Sequence, residues 1–104
     1  MDYKIEYSLK AKESLTAIYD YISKNLYNLT AARQTISRII VNINDLALFP
    51  KKNKLCEEET LKKINVRFSL CKNFKILYYV DDDKMVIYIL NVFYCKRIVR
   101  KYMI

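Results

Sequence analysis

The apolar residues of this chain change their spacing along its length, and the order of those changes restricts the fold more than any other feature. Tyr3, Ile5 and Tyr7 alternate with Lys4 and Glu6. A period of two places successive side chains on opposite faces of a strand, so the pattern predicts a strand over residues 2–7. Leu15, Ile18, Tyr19, Ile22 and Leu26 then recur at helical spacing, which predicts a helix over residues 9–26. Ser8 offers that helix a capping oxygen. A short connector at residues 25–29 follows, with Thr30 as a second candidate cap. Ala32, Ile36, Ile39, Ile40, Ile43 and Leu46 then mark a second helix over residues 30–48. Pro50 has no N–H to give a helix and disfavours the helical region for Phe49, so the helix stops there. A connector this short makes the two helices an antiparallel hairpin.

Residues 50–62 are polar and read as a loop. The period of two then returns, with Ile64, Val66, Phe68 and Leu70 alternating with Lys63, Asn65, Arg67 and Ser69. That predicts a half-buried strand with one polar face. Residues 74–80 are apolar except for Lys75, as a central strand would be. Asp81, Asp82, Asp83 and Lys84 form a turn, and residues 85–93 are a further strand rich in β-branched residues and Tyr. The tail, residues 94–104, is either a short helix or extended. The order β-α-α-β-β-β segregates strands from helices, so the class is α+β. The expected architecture is an antiparallel sheet with the N-terminal helical hairpin packed on one face, in one domain spanning residues 1–104. The opposite face, onto which Arg67 and its polar neighbours project, is the expected working face.

Composition removes several kinds of function. The chain has 104 residues, no His and no Gly. Without His it lacks the usual general base and the commonest metal ligand, and without Gly it has no glycine-rich phosphate loop. Its three Cys residues, Cys56, Cys71 and Cys95, are odd in number and unpaired in spacing. They read as reduced thiols of a cytoplasmic protein, with no metal and no cofactor expected. No apolar run is long enough to span a bilayer, and the start of the chain has no secretory pattern, so no membrane is expected as a partner. The formal net charge is +8, which points to nucleic acid or an acidic protein segment. In residues 53–104 the acids are confined to two runs, 57–59 and 81–83, while the last eleven residues carry Lys96, Arg97, Arg100 and Lys101 and no acid.

Several stretches taken together resemble the RelE/ParE superfamily of toxins from type II toxin–antitoxin systems. They are Ala17-Ile18-Tyr19-Asp20-Tyr21-Ile22, the pair Ala31-Ala32, Leu46-Ala47-Leu48-Phe49-Pro50, Val66-Arg67 and Asn73-Phe74-Lys75-Ile76-Leu77-Tyr78-Tyr79-Val80-Asp81-Asp82. The last strand, running from Val86 into Phe93-Tyr94-Cys95-Lys96-Arg97, completes the pattern over about residues 3–98. The chain departs from it by carrying Lys75 where Arg is frequent, Tyr94 where His is frequent, and Ile98 where an Asp commonly follows the last Arg.

The resemblance implies growth arrest by ribosome-dependent cleavage of messenger RNA, a metal-free attack of the 2′-hydroxyl on the neighbouring phosphate. That reaction needs a base, an acid and cations that stabilise the phosphorane. Lacking His, this chain has Arg67, Tyr94 and Arg97 as candidate catalytic residues. Arg67 has a guanidinium fork that matches two phosphate oxygens; otherwise it is a surface Arg or pairs with the acids at 57–59. Tyr94 offers a platform for a splayed base or a proton-transfer hydroxyl; otherwise it packs on the sheet. Arg97 is a phosphate clamp or proton donor, or simply part of a basic tail. Lys51, Lys52, Lys54, Lys75 and Lys96 are the candidate RNA-binding residues, against the simpler reading of a solvated basic loop and strand. The implied partners are a cognate antitoxin protein, and the ribosome with its messenger RNA. The two long helices and the lack of His favour an alternative, a ParE-like inhibitor of DNA gyrase that is not itself an enzyme. The third alternative is a non-toxic homologue held by its antitoxin.

Overall fold

The computed structural model describes residues 2–95. Strand β1 (Lys4–Tyr7) is followed by helix α1 (Leu9–Asp20), a single π-helical turn (Tyr21–Asn25) and helix α2 (Leu29–Asp45). A short helix α3 (Glu59–Lys63) precedes strands β2 (Arg67–Cys71), β3 (Phe74–Asp81) and β4 (Val86–Tyr94). The four strands form one sheet in the order β1-β4-β3-β2. This is the expected α+β architecture, with the helices packed on one face of a mostly antiparallel sheet.

Three details differ from the sequence-based expectation. The first strand pairs with β4 in parallel, Ile5 beside Ile87 and Tyr7 beside Ile89, rather than antiparallel. The segment after α2 explains why. It is a full leg of chain, whose Leu55 bridges antiparallel to Arg67, and this leg adds one reversal of direction before β2. The predicted loop also holds α3, and β2 begins at Arg67 rather than Ile64. The predicted first helix loses its α geometry after Asp20, where the π turn inserts.

Local chemistry fixes the element ends. The Ser8 hydroxyl accepts from the Ala11 amide at 3.0 Å and donates to the Leu90 carbonyl at 2.9 Å. One side chain therefore caps α1 and pins it to β4; such a cap contributes about 1 kcal/mol. Asn28, not Thr30, caps α2 by accepting from the Ala31 amide at 3.0 Å. With no glycine available, Tyr27, Asn65, Lys72 and Met85 take up left-handed backbone at the turns, with φ between 51° and 60°. Each non-glycine residue there costs about 1–2 kcal/mol, which the surrounding packing offsets.

The core lies between the helices and the sheet. Ala11 of α1 and Ile39, Ile43 and Leu46 around α2 meet Ile76 and Tyr78 of β3 and Ile87, Ile89 and Val92 of β4, all fully or almost fully buried. Fully burying an Ile or Leu stabilises by about 1.5–3 kcal/mol, so these four-carbon side chains carry the helix–sheet contact. A β-bulge in the β3–β4 pairing at Leu77 and Tyr78 leaves an extra residue in β4. It turns the Asn91 carboxamide to the helix side, where it accepts from the Ser14 hydroxyl at 2.7 Å. No helix of the described residues is long and apolar enough to cross a membrane.

Candidate functional site

Strand β2 presents its residues the other way round from the expected working face. It pairs Arg67 with Tyr78, Ser69 with Ile76 and Cys71 with Phe74. Directly opposed residues of an antiparallel pair share a face, so Arg67, Ser69 and Cys71 lie on the side covered by the helices. Ser69 and Cys71 are buried, whereas Leu70 is 47% exposed on the open face. The expectation that Arg67 and its polar neighbours project onto the uncovered face is therefore corrected. The physical reason is a polar partner on α2: Asn42 accepts from the Ser69 hydroxyl at 2.7 Å and donates to the Leu70 carbonyl at 3.4 Å. That pair lets a serine sit in a buried position without an unsatisfied group.

Arg67 stands at the rim of the covered face, where its guanidinium donates to the Asn53 carbonyl at 2.6 Å. The fully buried Tyr78 beside it donates its hydroxyl to the Pro50 carbonyl at 2.8 Å and accepts from the Asn53 side chain at 3.2 Å. Burial pushes the Tyr78 hydroxyl pKa up, so it stays a neutral donor. Arg67, Tyr78, Pro50 and Asn53 thus clamp the basic loop to the end of the sheet. Next to this clamp, Lys51 pairs with Asp82, and the Tyr3 hydroxyl donates to the same carboxylate at 2.8 Å. The Lys51 ammonium and then the Tyr3 hydroxyl hold the Asp82 carboxyl below its ordinary range. A groove of about 420 Å³ is lined here by Lys51, Arg67, Tyr79 and the acids at 81–83.

The remaining described candidates fall in two other places. Lys52 and Lys54 line a groove of about 490 Å³ with Asn42, Phe68 and Leu70. Lys75 lies over the Phe68 ring, its ammonium 4.4 Å from the centroid. Phe68 of β2 is thus the residue common to the groove of Lys52 and Lys54 and to the Lys75 contact. Tyr94 is at the far end of the sheet. It pairs with Phe74 and meets that ring edge-on, with centroids 5.8 Å apart and planes at 74°. It lines an apolar groove of about 620 Å³ with Ala17, Ile18, Tyr21, Ile22 and Leu26 of α1 and the π turn. Lys96 and Arg97 lie outside the described residues.

Arg67 and Tyr94 are not one site. They oppose Tyr78 and Phe74, four residues apart on β3, which is about 13 Å along a strand. They also flank β3 from opposite sides. Sequence reasoning misses Asn53 and Tyr78 as members of the clamp and Asp82 beside it. In the sequence the run of three Asp residues predicts only a turn, and Tyr78 only a strand position. Neither reading contains the signal that would place them under the lysine loop.

The fold and the loop clamp can be set beside known proteins. The family model described as the ParE toxin of type II toxin–antitoxin systems, parDE, matches residues 5–99. The chain belongs to the ParE toxin family. The fold of this toxin is similar to that of a chromosomal ParDE system from Pseudomonas aeruginosa, with a TM-score of 0.73 and 20% identity over 89% of this chain and 96% of that one. It is also similar to the toxin–antitoxin complex RelBE2 from Mycobacterium tuberculosis, with a TM-score of 0.69 and 16% identity over 90% and 99% of the two chains. A mutant of the Escherichia coli toxin RelE in the free state gives a TM-score of 0.64 and 13% identity over 99% and 93%. No curated protein matches the chain in sequence. This ParE-family chain is thus a type II toxin on the common RelE/ParE fold.

Proposed function

We propose that this ParE-family toxin arrests growth by binding DNA gyrase, rather than by cutting messenger RNA, and that a cognate antitoxin holds it inactive. The observation that carries this reading is the separation of Arg67 from Tyr94 by about 13 Å along β3. Metal-free cleavage of RNA needs its proton-transfer group and its phosphate-stabilising cation within hydrogen-bond reach of one phosphate. Arg67 is instead bonded to the Asn53 carbonyl and Tyr94 is stacked on Phe74. The net charge of +8 suits an antitoxin segment that is acidic and folds as it binds.

One observation favours the second reading, ribosome-dependent cleavage. Lys52 and Lys54 line a groove with the half-buried Phe68, over whose ring Lys75 lies, and cations beside an aromatic ring suit a single-stranded backbone and its bases. Inducible expression in a bacterium, with transcripts mapped and purified gyrase assayed for supercoiling, separates the two. The gyrase reading expects intact transcripts, an induced DNA-damage response and loss of supercoiling activity. Cuts within open reading frames that disappear in the Lys52→Ala, Lys54→Ala, Lys75→Ala triple variant would move the conclusion to the ribosome. Harmless expression of folded protein would favour the non-toxic homologue.

A further inference from the structure

The sheet face turned away from the helices carries a pattern of its own. Directly opposed residues share a face, so Leu70 of β2, Lys75 of β3 and Phe93 of β4 stand side by side across three strands. Their chain neighbours Ser69, Ile76 and Val92 are buried under the helices, which puts this row on the open face. A solvated face of an antiparallel sheet is usually polar. Here Leu70 is 47% and Phe93 37% exposed, with one cation between them. Lys75 forms no ion pair among the described residues and lies over the Phe68 ring. The row continues beyond β2, because Leu70 and Phe68 also line the groove of Lys52 and Lys54. The Phe68 amide donates to the Lys54 carbonyl at 3.2 Å and so holds that loop along the strand. The open face thus bears a continuous track from two lysines, over a third, to an exposed ring.

From this track we infer that the toxin binds single-stranded DNA directly, with a base stacked on Phe93, the next phosphate at Lys75, a further base against Leu70, and the backbone continuing over Lys54 and Lys52. A single strand supplies what the row lacks, an anion beside a flat apolar group. Leu70 and Phe93 are two strand spacings apart, about 10 Å, which leaves a phosphate room between two unstacked bases. Stacking on aromatic rings beside a basic track holds single strands without sequence preference. Duplex DNA hides its base faces and meets only the lysines. A second copy of this chain is a poor occupant, because face-to-face contact would set Lys75 against Lys75. A peptide is a poor one too. The backbone groups under the row are already bonded in the β2–β3–β4 ladders, and no side chain of the row accepts a hydrogen bond that would fix a peptide's register. The same lack leaves a ribose 2′-hydroxyl without an acceptor, so RNA gains no advantage over DNA. This affinity belongs to the toxin alone and is separate from the gyrase reading.

The test is fluorescence anisotropy of purified full-length toxin with a labelled oligothymidylate of about 12 nucleotides, with neither gyrase nor ribosome present. Phe93→Leu keeps the charge and apolar character and removes the ring, so it should weaken binding by about tenfold. Phe93→Tyr, which keeps a ring, should bind as wild type does. A duplex of equal length should be indifferent to Phe93→Leu. Lys75→Ala should weaken binding and flatten the slope of log affinity against log salt by about 0.7, the share of one phosphate contact in a single strand. Lys10→Ala removes the same charge from an exposed position of α1, on the other side of the sheet, and should leave that slope unchanged. No binding of oligothymidylate, equal affinities of wild type and Phe93→Leu, or a Lys10→Ala effect as large as that of Lys75→Ala would overturn the inference. So would oligouridylate binding tighter by about tenfold, which makes the face an RNA site. Displacement of the DNA by polyglutamate of equal charge at equal concentration would overturn it in favour of an acidic peptide. Circular dichroism checks the fold of each variant, and the Lys75→Ala and Lys10→Ala pair decides the matter should Phe93→Leu unfold.

Discussion

The two ends of strand β3 use their aromatic residues in opposite ways. At the Tyr78 end, a buried hydroxyl and the Arg67 guanidinium are tied to Pro50 and Asn53, and Lys51 is tied to Asp82. These bonds hold the basic loop against the sheet. At the Phe74 end, Tyr94 is half-exposed and stacks edge-on, and its surroundings on α1 and the π turn are apolar. The comparison teaches that the residue with the best phosphate-binding chemistry, Arg67, is part of the scaffold, while the groove at the exposed aromatic end is lined, among the described residues, by apolar and aromatic side chains without a cation. A bonded end and an open end should respond differently to substitution, and that difference can be measured.

The largest effect is expected at Arg67. Arg67→Met keeps the length of the side chain and removes its charge-assisted bond to the Asn53 carbonyl, a kind of bond worth about 1.5–3 kcal/mol. Urea denaturation should show a loss of about 2 kcal/mol, with faster proteolysis within residues 50–54. An unchanged midpoint would mean that Arg67 is free for a ligand after all. Tyr78→Phe comes next, at about 1–1.5 kcal/mol, because it deletes a buried hydroxyl that serves two partners. Its pH dependence has a definite sign. A tyrosine whose pKa is raised by burial contributes stability that is complete below its ordinary value of 10.0 and lost as pH rises through the folded value. The wild-type protein should therefore weaken in alkali more steeply than Tyr78→Phe. Parallel alkaline profiles would show that the buried hydroxyl does not control that limb.

Much of this contrast was out of reach of the sequence, although the elements were not. Period-two and helical spacings are set by faces that must be buried, so they located the strands, both long helices and the Ser8 cap. They could not orient β2, because Ser69 and Cys71 look like the polar face of a strand until Asn42, on α2, supplies the partner that lets Ser69 be buried. Nor could they separate Arg67 from Tyr94. Both stand in stretches that resemble the superfamily, but their distance depends on the register across β3, a tertiary property. Lys52 and Lys54 line one groove with Phe68, and Lys75 lies over the Phe68 ring. Lys51 instead turns to Asp82, an acid that the sequence presents only as one of three in a turn.

A smaller effect is expected at the open end. Tyr94→Ala removes an edge-on contact with Phe74 that is already half in solvent, so its cost should stay below about 1 kcal/mol, the lower part of the range for aromatic pairs. If the apolar groove meets a protein target or the antitoxin, the same variant should lose binding by calorimetry far out of proportion to its change in melting temperature. A stability loss as large as that of Arg67→Met would contradict the contrast, because the two ends would then be equally structural.

The smallest effect belongs to Asp82, whose carboxylate is exposed and carries the Lys51 pair and the Tyr3 hydroxyl. Exposed ion pairs are screened by water and salt, so Asp82→Asn should leave the neutral-pH midpoint almost unmoved. The acid limb is where it should register. The Lys51 and Tyr3 contacts lower the folded-state pKa below 3.8. The resulting stability is present above the unfolded value and lost as pH falls through the folded one. Wild type should lose that increment on acidification below about pH 4, the ordinary carboxylate value, and Asp82→Asn should lack it. High salt should shrink the difference further, because the pair at the bonded end is electrostatic where the contact at the open end is apolar. A salt-independent gap between the two proteins would mean that Asp82 holds the loop through its hydrogen bond from Tyr3 rather than through the charge of Lys51.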